Sequence, residues 1–246
     1  MKQSLFKTPN QRLIVAADYR PPQNENPVPS TQRFLEKMVD ELEGLGVTFK
    51  LNTIARILGT RSLELLNDND IGCFLDLKLF DIGNTLMNDV SWIQFYKPLI
   101  VTVAERVKPE AFKRIMTTLD ETLVLPVGPL TDLDDADFKH FQLANRQTEV
   151  RAFFKRVWQL RAHGAICAPT DIALAPEGFR SDATFVTPAV KPEWSLEDDN
   201  SENALTPARA IKAGADAIVV GRGITAAANM RDAAKRTIDE IALALS

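Results

Sequence analysis

The chain of 246 residues carries 29 Lys+Arg against 33 Asp+Glu, a formal net charge of -4, and is 45% hydrophobic and 25% charged. That composition describes a soluble globular chain long enough for a large core, and its slight acidity argues against a basic nucleic-acid or membrane-surface face. No apolar run approaches the roughly 20 residues that span a bilayer, the start MKQSLFKTPNQR lacks the apolar segment of a secretory signal, and Cys73 and Cys167 are too few for a disulfide scaffold, so a reducing cytoplasm is expected.

Short, β-branched apolar runs mark the strands: Leu13–Ala17, Val47–Leu51, Gly72–Leu77, Leu99–Val103, Leu123–Val127, Ala165–Cys167, Thr184–Thr187 and Ala217–Val220. Helical periodicity fills the gaps. Ser30 and Thr31 open a helix carrying Phe34, Leu35, Met38 and Leu42, and Thr53 opens one with Ile54, Ile57 and Leu58 on a face. Asn84-Thr85 opens a third, Pro109 starts a fourth, and Thr206-Pro207 pairs a hydroxyl cap with Pro at the first helical position. A final helix is expected from about Thr225 to Leu245. Three stretches read as long or irregular loops: Pro21–Pro29, Thr131–Gln147 and Lys191–Asn203.

Eight nearly continuous apolar strands alternating with helices, about 31 residues per unit, indicate a parallel sheet buried on both faces. Count and length predict a closed (β/α)8 TIM barrel, one α/β domain over residues 1–246. The rival open doubly wound sheet lacks its glycine fingerprint, since Asp18-Tyr19-Arg20-Pro21-Pro22 follows the first strand.

Barrel enzymes place working residues where strands end. Those ends offer Asp18, Lys50, Asp76, Lys78, Asp81, Thr131, Pro188 and Gly221-Arg222. By the two-residue strand period Phe74, Asp76 and Lys78 share one face, with Leu75 and Leu77 toward the helices. Lys50 on the neighbouring strand points into the same mouth, making a Lys–Asp–Lys–Asp array of alternating sign. On spacing alone such an array can equally be a structural salt-bridge network closing the barrel top. His140 lies in a polar loop and His163 ends a helix, so neither is spaced as a metal ligand.

The run Asp76-Leu77-Lys78-Leu79-Phe80-Asp81-Ile82 resembles the Asp-x-Lys-x-x-Asp signature of the orotidine 5'-monophosphate decarboxylase superfamily, in the form that continues Asp-Ile-x-Asn-Thr through Asp81–Thr85. The resemblance spans almost the whole chain: Asp18 and Lys50 match the first two strand ends, Gly164–Cys167 resembles the strand-six motif, Val186-Thr187-Pro188 the strand-seven motif, and Ile218–Thr225 the phosphate motif.

This resemblance implies decarboxylation of orotidine 5'-monophosphate to UMP without metal or cofactor. Lys78 would protonate the carbanion left by carbon dioxide. Asp76 would sit beside the departing carboxylate, and Lys50 and Asp81 would complete the array. Asp81, Ile82 and Thr85 would reach the site of a partner subunit, so a homodimer is implied. Gly221 and Arg222 would hold the phosphate at the start of the last helix, Asp18 with Lys50 the ribose, and Thr131 the pyrimidine edge. Each has a plainer alternative: a tight turn with a solvated Arg222, a helix cap at Asp18, a loop cap at Thr131.

Departures fall around strand seven. Ala189 stands where the family usually has Gly after Thr187-Pro188, and Ser201, with Asn200 and Asn203 as rivals, falls near a family Gln. Lys191 occupies a commonly basic position, Gly83 replaces a common Pro, and Trp194 is either a lid residue or a loop anchor. Three other readings compete: a Mg²⁺-dependent keto-sugar-phosphate decarboxylase of the same superfamily, a Schiff-base aldolase using Lys78, and a non-catalytic nucleotide-binding barrel. Phe80 and Asp81-Ile82 argue against the first, the flanking carboxylates favour the ammonium form of Lys78 against the second, and the complete charged set argues against the third.

Overall fold

Eight apolar runs become strands β1 (Leu13–Ala16), β2 (Thr48–Leu51), β3 (Gly72–Leu79), β4 (Ile100–Ala104), β5 (Leu123–Val127), β6 (Gly164–Ile166), β7 (Thr184–Thr187) and β8 (Ala217–Val220). In the computed structural model, which describes residues 5–130, 133–195 and 205–246, they pair in parallel and in sequence order, β8 returning to β1 to close a TIM barrel. Closure leaves no strand edge to cover.

Period-two alternation along each strand divides the apolar residues into two sets. Ile14, Ala16, Phe74, Ile100, Leu125, Ile166, Val186, Ala217 and Val219 fill the barrel interior together with Phe6. Leu13, Val15, Phe49, Leu51, Leu75, Val101, Val103, Val124, Phe185 and Val220 face outward into the layer shared with the helices. Gly164 permits the tight β6–β7 approach: a Cβ there would collide with the Thr184 backbone. Cys73 and Cys167 are buried and unpaired, and burial pushes the Cys73 thiol up to about 12.

Several boundaries differ from the sequence expectation. The first helix runs Pro27–Leu42 and is capped by Asn26, whose side chain accepts the Val28 N–H, while Ser30 and Thr31 lie buried within it. The third begins at Gly83 and runs to Tyr96. Part of the stretch expected to be irregular, Thr131–Gln147, holds a helix, Asp135–His140, with a capping box at Asp134, and the start of another, Arg146–Gln159, capped by Asn145. A helix at Arg61–Asp68 is additional. The expected final helix is two: Arg222–Thr225, then Met230–Leu245 capped by Asn229. Thr206-Pro207 does open a helix, Pro207–Lys212, with the Thr206 hydroxyl accepting from Arg209 N–H. Among the described residues, no helix is long and apolar enough to cross a membrane.

Candidate active site

The barrel interior turns polar at its C-terminal rim. Ala16, Lys50 and Phe74 lie in register across β1, β2 and β3, and two residues beyond Phe74 the inward position is Asp76, 7% exposed. A carboxylate buried to that degree needs partners. It has three: Lys78 Nζ lies 2.9 Å from both of its oxygens, Lys50 Nζ 3.6 Å from Oδ2, and the Thr102 hydroxyl donates to Oδ1 at 2.9 Å. Lys50 Nζ also reaches Asp18 Oδ1 at 3.3 Å. Asp18, Lys50, Asp76 and Lys78 therefore form one array from the ends of three adjacent strands. Burial alone pushes the Asp76 carboxyl upward, but the Lys78 hydrogen bond, the Lys50 and Lys78 charges and the Thr102 hydroxyl hold it below its ordinary value.

Lys78 does not arrive by simple strand alternation. Pairing with β4 passes from Leu75↔Val101 to Leu79↔Val103, so four residues of β3 advance against two of β4. Within this bulge Lys78 takes a left-handed backbone, φ 51°, which costs a non-glycine residue about 1–2 kcal/mol. The bulge re-aims its side chain onto Asp76, the use to which bulges beside active sites are commonly put.

Asp81 is not a member of the array within its own chain. Its Oδ1 accepts the Ile82 N–H at 2.6 Å, and among the described residues it forms no ion pair with Lys50 or Lys78. Within one chain the array thus comprises Asp18, Lys50, Asp76 and Lys78, and the chain leaves it after Leu79. Asp81, Ile82 and Thr85 are all exposed there, as is Phe80.

Beside the array a cavity of about 500 Å³ is lined by Asp18, Ala189, Lys191, Gly221, Arg222 and Gly223, among others. It gathers residues from the ends of β1, β7 and β8. Gly221 closes β8 and its carbonyl accepts the Ile224 and Thr225 N–H groups, so Arg222 starts a separate four-residue helix rather than the last long one. Pro188 leads from β7 into Ala189, which adopts φ 59°, the conformation for which the usual family residue, Gly, is suited. Lys191 N–H donates to Leu205 O at 3.1 Å, tying together the ends of the strand-seven loop. Trp194 packs against the core, with the Arg236 guanidinium 4.5 Å from its ring centroid, and also lines this cavity. Thr131 and Ser201, with Asn200 and Asn203, lie outside the described residues.

Two polar features escaped the sequence reading. Thr102 touches both Lys78 and Asp76; its signal was a hydroxyl two residues beyond the inward-facing Ile100. Arg146 donates to Leu130 O, Leu133 O and the buried carboxylate of Asp171, bracketing the turn after β5. His163, expected at a helix end, is half-buried and accepts the Val124 N–H on Nδ1, and burial lowers its pKa. Among the described residues no group of three or more His, Cys, Asp or Glu side chains is placed to hold a metal ion.

A closed parallel (β/α)8 barrel with a lysine–carboxylate array at its C-terminal rim has the layout of a TIM-barrel enzyme. Within that class, the family described as orotidine 5'-phosphate decarboxylase / HUMPS matches residues 11–237, and the chain belongs to it. Similar proteins include an orotidine 5'-phosphate decarboxylase of Methylobacterium nodulans, 33% identical over 96% of this chain and 98% of its own length. Another is that of Afipia carboxidovorans, 32% identical over 96% and 97%. The fold is shared with the orotidine 5'-phosphate decarboxylase of Lactobacillus acidophilus, with a TM-score of 0.75 at 23% identity, covering 94% of this chain and 99% of that one.

Proposed function

We propose that the protein decarboxylates orotidine 5'-monophosphate to UMP and carbon dioxide in pyrimidine biosynthesis, with no metal or cofactor. The observation that carries this reading is the Lys78 ammonium 2.9 Å from both Asp76 oxygens, beside a cavity bearing Gly221-Arg222, in a chain of this family. The curated relatives compared above bear the decarboxylase name.

The chemistry follows from charge. When the bond between C6 and its carboxylate breaks, the electron pair stays on C6 and carbon dioxide leaves. The Lys78 ammonium stabilises that pair and then gives it a proton, and solvent reprotonates the amine. Because Lys78 is held by the buried Asp76 before substrate arrives, the cation is oriented in advance, which is how preorganised electrostatics lower a barrier. Asp76 places negative charge beside the carboxylate that departs. Lys50 holds Asp76 and Asp18, and Asp18 with Lys50 hydrogen-bonds the ribose. Gly221 and Arg222 take the phosphate, Lys191 adds positive charge to the same cavity, and Pro188 shapes its β7 side. Thr131 and Ser201 are assigned to the base edge and the phosphate by resemblance alone.

The working unit in this reading is a homodimer. Phe80 and Ile82, 67% and 73% exposed just before the helix Gly83–Tyr96, and Phe95, 79% exposed near its far end, are apolar surface for a second copy to cover. Asp81, Ile82 and Thr85 on that surface would enter the partner's site, supplying the second carboxylate of the array. Two buried free thiols fit a reducing, cytoplasmic setting.

The test is the fall in pyrimidine absorbance on adding orotidine 5'-monophosphate to metal-free protein, with and without chelator. Equal turnover in both supports the reading. Turnover abolished by chelator would move the chain to the Mg²⁺-dependent alternative, and no turnover in either would refute decarboxylation of this substrate.

A further inference from the structure

The array depends on two groups being held in unfavourable states: Lys78 in a left-handed backbone inside a bulge, and the Asp76 carboxylate almost out of contact with solvent. One side chain touches both. Thr102, fully buried in β4, accepts the Lys78 backbone N–H on Oγ1 at 2.9 Å and donates its own proton to Asp76 Oδ1 at 2.9 Å. The polarity of this relay has a single solution. An amide can only donate and an ionised carboxylate can only accept, so the hydroxyl is fixed between them. Where the bulge interrupts regular pairing, the hydroxyl serves the Lys78 amide in place of a ladder carbonyl, and the same atom orients the carboxylate that grips the Lys78 ammonium. The backbone and the tip of Lys78 are thus tied through one oxygen.

We infer that Thr102 is a positioning residue for the reaction, setting the Lys78 ammonium through simultaneous bonds to its backbone and to Asp76. The inference rests on the decarboxylase reading above and goes beyond it in naming the group that makes the array rigid. Thr102 is separated from substrate by the residues it holds, so its loss affects how the site turns over more than how it binds.

Thr102→Val keeps the shape and removes the hydroxyl, whereas Thr102→Ser keeps the hydroxyl and removes the methyl. The full-length protein is assayed with orotidine 5'-monophosphate, UMP binding is measured by calorimetry, and Thr102→Val is crystallised. The expected result is a kcat lowered roughly 10- to 100-fold in Thr102→Val, the range covered by one charge-assisted hydrogen bond. KM and UMP affinity should stay within about twofold of the parent, and Thr102→Ser should recover most of kcat. In the crystal, Lys78 should leave its positive φ or its ammonium should part from Asp76. Unchanged kcat in Thr102→Val, a loss confined to KM or UMP binding, or equal impairment in Thr102→Ser would overturn the inference. If Thr102→Val does not fold, Thr102→Ala is read by the same criteria. An inactive parent would refute the decarboxylase reading instead, and the crystal geometry of Lys78 would still decide what Thr102 holds.

Discussion

Lys78 combines the chemistry proposed for the chain with a backbone conformation that lysine rarely adopts, and its carboxylate partner carries the pH dependence. Asp76 is pushed up by burial, yet more strongly held down by the Lys78 hydrogen bond, the Lys50 and Lys78 charges and Thr102. A carboxyl whose folded pKa is depressed stabilises the fold above its unfolded value and loses that contribution as pH falls through the folded value. The stability advantage of the parent over Asp76→Asn is therefore expected in full above about pH 4, fading only at lower pH. Denaturant melts across the acid range measure it, and an advantage already fading near neutrality would contradict the assignment. Ala189 offers a second test. With φ 59° it holds an L residue where Gly is at ease, so Ala189→Gly is expected to raise stability by up to about 1 kcal/mol, visible as a higher Tm.

The charges of the site were legible in sequence because a Lys or Asp at the end of an apolar strand has few inexpensive places to go. Lys50, Asp76 and Lys78 announced themselves in this way. The bulge did not, since period two predicts that Lys78 follows Asp76 on one face without any left-handed residue. Thr102 stayed hidden because a hydroxyl in a β-branched strand looks like ordinary strand composition.

At the scale of elements, strands read well and helix ends less well. Nearly continuous apolar, β-branched runs made all eight strands visible. The first helix was begun late because Ser30-Thr31 resembles a cap, whereas Asn26 followed by Pro27 is the cap used. The helices at Asp135–His140 and Arg146–Gln159 were partly obscured by the polar segment around them, where local capping at Asp134 and Asn145 sets their starts. Asn229 divides the C-terminal helical stretch, its side chain accepting the Asp232 N–H at 2.9 Å. Asn229→Ala is expected to cost about 1 kcal/mol, a Tm lowered by roughly 2–4 °C. Gly164→Ala belongs to the severe class, because its methyl would enter the Thr184 backbone. Separation of β6 from β7 should cost several kcal/mol, roughly 3 or more, read as loss of soluble folded protein or a large drop in Tm. A variant with parental Tm would show that the two strands can move apart.

For the whole molecule, the closed barrel brings residues far apart in sequence to one rim: Asp18 and Arg222 line the same cavity. Asp81, by contrast, points away from its own array, and that outward position is what makes the dimer a testable claim. Lys78→Ala and Asp81→Ala homodimers are each expected to be nearly inactive. Mixed and allowed to exchange subunits, they should regain about a quarter of parental activity, since half of a random mixture is heterodimer and each heterodimer holds one intact site. Absence of recovery, with subunit exchange verified, would place Asp81 outside the partner's site.

The central claim is that a preorganised lysine ammonium supports carbon–carbon cleavage and supplies the proton. Its most direct measurement is carbon dioxide release from orotidine 5'-monophosphate by Lys78→Ala, in protein shown to be folded and to bind UMP. The expected rate is roughly 10³-fold or more below the parent, the combined reach of a lost proton donor and a lost electrostatic partner; release at the parental rate would contradict the assignment of Lys78.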